Sequence, residues 1–149
     1  MGKTMADANT NEMACTCARL RRLTRRVTQI YDGHIEAAGI SVAQFGLLAP
    51  LNARGSLSMG IFAQRAVMDP TTLTRNLAPL QRDGYVKIAP DPDDRRRRIV
   101  SITPKGRRVF QDALPAWRAA QDELADLLGE SGIGQLNGAL VRSLDQLVK

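Results

Sequence analysis

The chain has 149 residues, with 21 Lys and Arg against 15 Asp and Glu and a net charge of +6. That length suits one domain with a real core and excludes most two-domain enzymes, and no apolar run approaches the ~20 residues of a membrane helix. The basic balance fits a polyanionic partner without fixing a fold, and the two cysteines of a chain read as cytoplasmic default to free thiols.

Residues 1–14, MGKTMADANTNEMA, are polar and lack the apolar core of a signal peptide. They read as a disordered arm. From 15 to 38, Leu20, Leu23, Val27, Ile30 and Ile35 recur at steps of three to five, which predicts a helix with one apolar face. Arg19, Arg21, Arg22, Arg25 and Arg26 project away from that stripe, and Gly39 suits a left-handed cap. Ser41 and Gln44 have capping-box spacing and open a second helix through Val42, Phe45, Leu47, Leu48 and Leu51. Gly55 closes it.

Ser58 can cap a short third helix containing Ile61, Phe62 and Ala66. Asp69-Pro70 opens a fourth, with an acceptor at the cap and a proline where no N–H is needed. Leu73, Leu77 and Leu80 carry that helix to Gly84, and Pro79 is expected to kink its last turn. Two β-like runs, 85–89 and 98–102, flank the charged tip PDPDDRRR, which reads as a hairpin with a long loop.

Thr103-Pro104 repeats the cap-then-proline start. A long helix follows with Val109, Phe110, Leu114, Trp117, Leu124 and Leu128 as its stripe and Pro115 as a bend. After a glycine-rich break at 129–134, a last helix carries Leu136, Leu140, Leu144 and Leu147. The terminal helices have apolar stripes and no globule of their own to wrap, so a second copy is their readiest partner. Phe110 and Trp117 are expected in that dimer core, or lining an effector pocket between the lobes. The predicted fold is mostly α with a small β-wing.

Two features point to duplex DNA. In DPTTLTRNLAPLQRDG, the candidate recognition helix, Thr71, Thr72, Thr74 and Arg75 occupy the first turns, where such helices meet base edges. Arginine can bond guanine O6 and N7 together, and threonine can touch a thymine methyl or a phosphate. The helix N-terminus is itself expected to favour phosphate. On the hairpin tip, Asp94 precedes Arg95, Arg96, Arg97 and Arg98, a dense contact for phosphate or a narrow minor groove. Asp94 is expected to pair with an arginine and fix its direction. Each feature alone also fits a solvated surface; the two together, about 20 residues apart with Gly84 between, are more specific.

These residues resemble the MarR family of bacterial regulators. LTRNLAPLQRDGYV followed by DPDDRRRRIVSITPKGR is similar to its recognition helix, glycine turn and wing, with Asp94-x-Arg96, an aliphatic strand, Thr103-Pro104 and Gly106. The resemblance implies a winged helix-turn-helix and a triangular homodimer. Residues 15–38 and 104–149 would be dimerisation helices and 41–103 the DNA-binding lobe. It implies that Arg75 with Thr72 reads bases and that Arg96, with Arg95, enters the minor groove. The implied partner is double-stranded DNA carrying a near-palindromic operator, under repression relieved by a small-molecule effector or an oxidant.

Cys17 and Tyr31 also have the spacing of the organic-hydroperoxide-sensing branch of that family, where a first-helix cysteine is oxidised and a tyrosine bonds it. Arg21 stands where that branch carries a second tyrosine. Cys15-x-Cys17 fits equally an inert pair of thiols or a soft metal ion, with His34 as an extra ligand supplied across subunits. On one regular helix the two thiols would point about 200° apart, against a disulfide between them.

No cofactor motif is present. An enzyme is opposed by the inventory: one histidine, no nucleophile elbow, no phosphate loop. The remaining alternatives are a metal-responsive regulator built on the cysteines, or a winged-helix protein-interaction module without DNA specificity.

Overall fold

The computed structural model describes residues 15–148, so the expected arm at 1–14 lies outside them. Helix α1, Thr16–Ile35, runs into a 3-10 turn, Glu36–Ala38, which Gly39 ends in the left-handed region at φ 80°. Helix α2, Val42–Arg54, starts with the expected capping box. The Ser41 hydroxyl accepts from the Gln44 N–H, and the Gln44 side chain accepts from the Ser41 N–H. Asp32 of α1 accepts the Val42 N–H at 2.7 Å, so α1 holds the start of α2.

A short strand, β1 (Ser56–Ser58), was not foreseen from the sequence; it leads straight into α3, Met59–Ala66, capped by Ser58. Helix α4 is Pro70–Arg82, with Leu73, Leu77 and Leu80 fully buried along one face. The helix runs through Pro79. Strands β2, Val86–Pro90, and β3, Arg98–Ile102, form the predicted hairpin. They join β1 in an antiparallel sheet of order β1-β3-β2, with Leu57 opposite Val100 and Val100 opposite Ile88.

Helix α5, Pro104–Leu147, closes the chain. The expected break at 129–134 is a single kink: Gly129 alone leaves the helical region, at φ 74° and ψ 157°. Phe45 of α2 stacks on Phe110 at 4.6 Å and on Trp117 at 5.7 Å. Phe110 is therefore buried in the protomer's own core, and the expectation that it waits for a partner is corrected. Leu127, Leu128, Leu140, Val141, Leu144 and Leu147 do remain exposed.

The start of α5 grips the end of α4. The Thr103 hydroxyl donates to the Gly84 carbonyl at 2.6 Å and accepts the Gly106 N–H at 3.0 Å. Lys105 donates to the Asp83 carbonyl at 2.8 Å and lies over the Tyr85 ring. The mostly helical chain thus carries a three-stranded β-wing.

Candidate nucleic-acid interface

The first turns of α4 are exposed because only every third or fourth residue turns toward the core. Thr71, Thr74 and Arg75 share one open groove with Pro70 and Ala78. Thr74 also lines a second groove with Ser58, Ile61 and Gln64 on one side and Arg96, Arg97 and Arg98 on the other. Thr74, with Pro70, is thus where the face of α4 meets the wing. Ile61 and Gln64 of α3 were given no role by the sequence; their only signal is their place on the exposed side of a short helix.

Asp69 alters the expected chemistry of the α4 N-terminus. Its carboxylate accepts the Thr72 N–H at 2.9 Å and the Thr72 hydroxyl at 2.6 Å. The Thr72 hydroxyl, then its N–H, holds the Asp69 carboxyl below the usual carboxylate range. Pro70 contributes no N–H. A phosphate approaching this terminus would meet a carboxylate that already accepts the Thr72 N–H and hydroxyl. Asp69 thus opposes the phosphate contact expected at the α4 terminus.

The tip is shaped by Asp94. Its carboxylate accepts the Arg96 N–H at 3.1 Å and faces the Arg97 guanidinium at 3.6 Å, while its carbonyl accepts the Arg97 N–H at 2.9 Å. Asp94 thus folds the turn that carries the arginines. Arg95, Arg96 and Arg97 are all exposed; Arg95 lines neither groove.

The cysteines lie far from this surface, at the start of α1. Both are exposed and free. Cys15 is the N-cap, with extended backbone (φ −67°, ψ 117°), so only Cys17 is helical and the angular argument against their pairing lapses. Tyr31 is buried, and its hydroxyl donates to Gln121 at 2.6 Å. Burial pushes its phenol above the ordinary value. Fourteen residues of helix put Tyr31 about 21 Å from Cys17, so only a second copy could bring the pair together. His34 bonds Glu123 at 2.6 Å. Among the described residues no cluster of three His, Cys, Asp or Glu side chains suits a metal ion. Tyr31 and Gln121 border a cavity of about 270 Å³ between α1 and α5, whose lining includes Leu23, Val27, Leu124, Asn137 and Leu140.

A model described as the MarR family matches residues 38–97. The transcriptional activatory protein BadR of Rhodopseudomonas palustris is 32% identical over 110 residues, which cover 71% of this chain and 61% of BadR, under two thirds of its length. The Mycobacterium tuberculosis transcriptional regulator MosR, solved in complex with DNA, is 33% identical, with 87% of this chain and 98% of that one covered at a TM-score of 0.71. A mutant MarR of Escherichia coli, solved with operator DNA, is 21% identical and shares the fold at a TM-score of 0.80 over 90% of this chain and 96% of that one.

Proposed function

Because the chain belongs to the MarR family of transcriptional regulators, we propose that it acts as a homodimer on a near-palindromic DNA operator. Each protomer would set α4 in the major groove and the 90–97 tip in the flanking minor groove. The observation that carries this reading is the groove that Thr74 shares with Arg96, Arg97 and Arg98, which joins a base-reading helix to a cationic wing in one surface. Arg75 supplies a fork for guanine O6 and N7, with Thr71, Thr72 and Thr74 as its neighbours. Arg95 and Arg96 supply the charge for the minor groove. Residues 16–35 and 104–147 form the dimer, through the leucines exposed on α5.

The regulation is repression relieved by a signal. Two inputs are supported: oxidation of Cys17, an exposed thiol, and a small molecule in the cavity beside Tyr31. Regulators of this family are not enzymes, and we assign the chain no catalysis. No helix among the described residues is long and apolar enough to cross a membrane, and the cytoplasm is where such a regulator meets its operator.

The test is binding of the purified protein to the DNA flanking its own coding region, competed by unrelated duplex at physiological salt. A specific site should hold at least about a thousandfold over non-specific DNA. Equal competition by all sequences would sink the reading and leave a protein-interaction module in its place.

A further inference from the structure

The proposed operator reading assigns α4 to base edges without saying which bases its threonines accept. Side-chain hydroxyls are ordinarily ambivalent, since each has one hydrogen to give and two lone pairs to offer. Here the ambivalence is removed. The Thr72 hydroxyl hydrogen is given to Asp69 Oδ2 at 2.6 Å. The Thr74 hydroxyl hydrogen is given to the Pro70 carbonyl at 2.8 Å. Both hydroxyls lie on the exposed side of the helix, and both are left as acceptors flanked by a methyl group.

We propose that Asp69 is a specificity-determining residue that acts through Thr72, fixing it as an acceptor and excluding guanine from the base it faces. This rests on α4 being the base-reading helix. In the major groove guanine offers only the acceptors N7 and O6, whereas cytosine N4 and adenine N6 carry donors and thymine carries a methyl. An acceptor-only threonine meets guanine lone pair against lone pair. It meets an exocyclic amine or a thymine methyl favourably. Arg75, on the same face, has the opposite chemistry and seeks guanine. The helix therefore writes two adjacent and opposed rules, guanine at the Arg75 step and not at the Thr72 step.

Asp69 has a structural duty as the N-cap, so the test must keep the cap. Asparagine caps as well as aspartate does. Its amide nitrogen, placed where Oδ2 now stands, would donate to the Thr72 oxygen and free the hydroxyl hydrogen for the DNA. The experiment ranks the affinities of all single-base variants of the operator for the wild type, Asp69→Asn, Thr72→Val and the double variant. One hydrogen bond is worth roughly two- to tenfold. The wild type should disfavour guanine by that factor at one position of the half-site, and Asp69→Asn should recover it there. Thr72→Val has no hydroxyl to release, so adding Asp69→Asn to it should leave the ranking unchanged. The lost negative charge will raise affinity for every duplex, which the ranking does not register. An unchanged ranking in Asp69→Asn overturns the proposal. So does an equal shift with and without the Thr72 hydroxyl, which would mean that Asp69 touches the base itself. A wild type indifferent to every base substitution overturns the base-reading helix and this inference together.

Discussion

The carbonyl oxygen of Tyr85, at the root of the wing, lies against the α-carbon of Gly106 in the first turn of α5. A β-carbon at Gly106 would overlap that oxygen far inside contact distance and press on Ile102 as well. Backbone cannot swing aside as a side chain can, so the contact demands glycine at this position. Gly106→Ala should destabilise the protein by about 3 kcal/mol, at the upper end of ordinary overpacking. The check is the urea midpoint at constant slope. Gly46, on the exposed face of α2, supplies the control, because a methyl added there would meet nothing within 4 Å. Gly46→Ala should gain about 0.5–1 kcal/mol.

Val67 joins α3 to α4 in the left-handed region, at φ 53° and ψ 45°. A β-branched residue is costly there, by roughly 1–2 kcal/mol. Its side chain is exposed and returns little by burial. Val67→Gly should raise the melting temperature by a few degrees, corresponding to about 1 kcal/mol. A lower melting temperature would mean that the isopropyl group makes a contact worth more than the strain.

Arg75 and Arg96 should fail differently. Arg75→Ala should change the order of preference among operator variants, since a bidentate guanine contact discriminates by roughly 1–3 kcal/mol. Arg96→Ala should weaken all sites more evenly. If its contact is to phosphate, the slope of log affinity against log salt should flatten by about one ion. Titrations of both variants at several salt concentrations separate the two roles.

The exposed leucines of α5 should bury themselves between two copies. Sedimentation at micromolar concentration should give twice the chain mass. Val141→Glu with Leu144→Glu should shift the species toward the monomer without loss of helix content, because both side chains are exposed in the protomer. Operator affinity should fall with the dimer. A wild type that sediments only as a monomer would contradict the assembly.

For Cys17 the expected outcome is release of the operator on treatment with an organic hydroperoxide. Oxidation sets a polar or bulky sulfur group beside the apolar stripe of α1, next to the proposed dimer core. Wild type and Cys15→Ser should release DNA, and Cys17→Ser should not. Retention by the fully oxidised wild type would move the signal to the cavity beside Tyr31.

Much of this was legible from residue order. Ser41, Asp69 and Thr103 each mark a helix start through an acceptor at a fixed spacing, and Leu73, Leu77 and Leu80 repeat with the helical period. Such signals are local, and local signals survive in a sequence. Strand β1 was not legible, because Ser56, Leu57 and Ser58 have no period to detect; they become a strand only beside β3. The stacking of Phe45 on Phe110 was misplaced for the same reason, since a stripe does not say which surface covers it. At the site, Asp69 was legible as a cap. Its bond to the Thr72 hydroxyl was not, because a rotamer decides it.

Strand β1 has one more effect. Central strand β3 is bonded on both flanks, and β1 runs without a break into α3. Pairing on both edges of β3 thus ties the wing stalk to the strand that leads into α3, and the sheet sets the gauge between Thr74 and the arginine tip. Duplex DNA offers such a gauge one major groove and the next minor groove at a separation set by its winding. Over- or underwound DNA presents the wrong gap and must be deformed to fit, at an energy cost that the protein does not share. If α4 and the tip engage DNA as proposed, the torsional state of the duplex should enter the affinity alongside the base sequence.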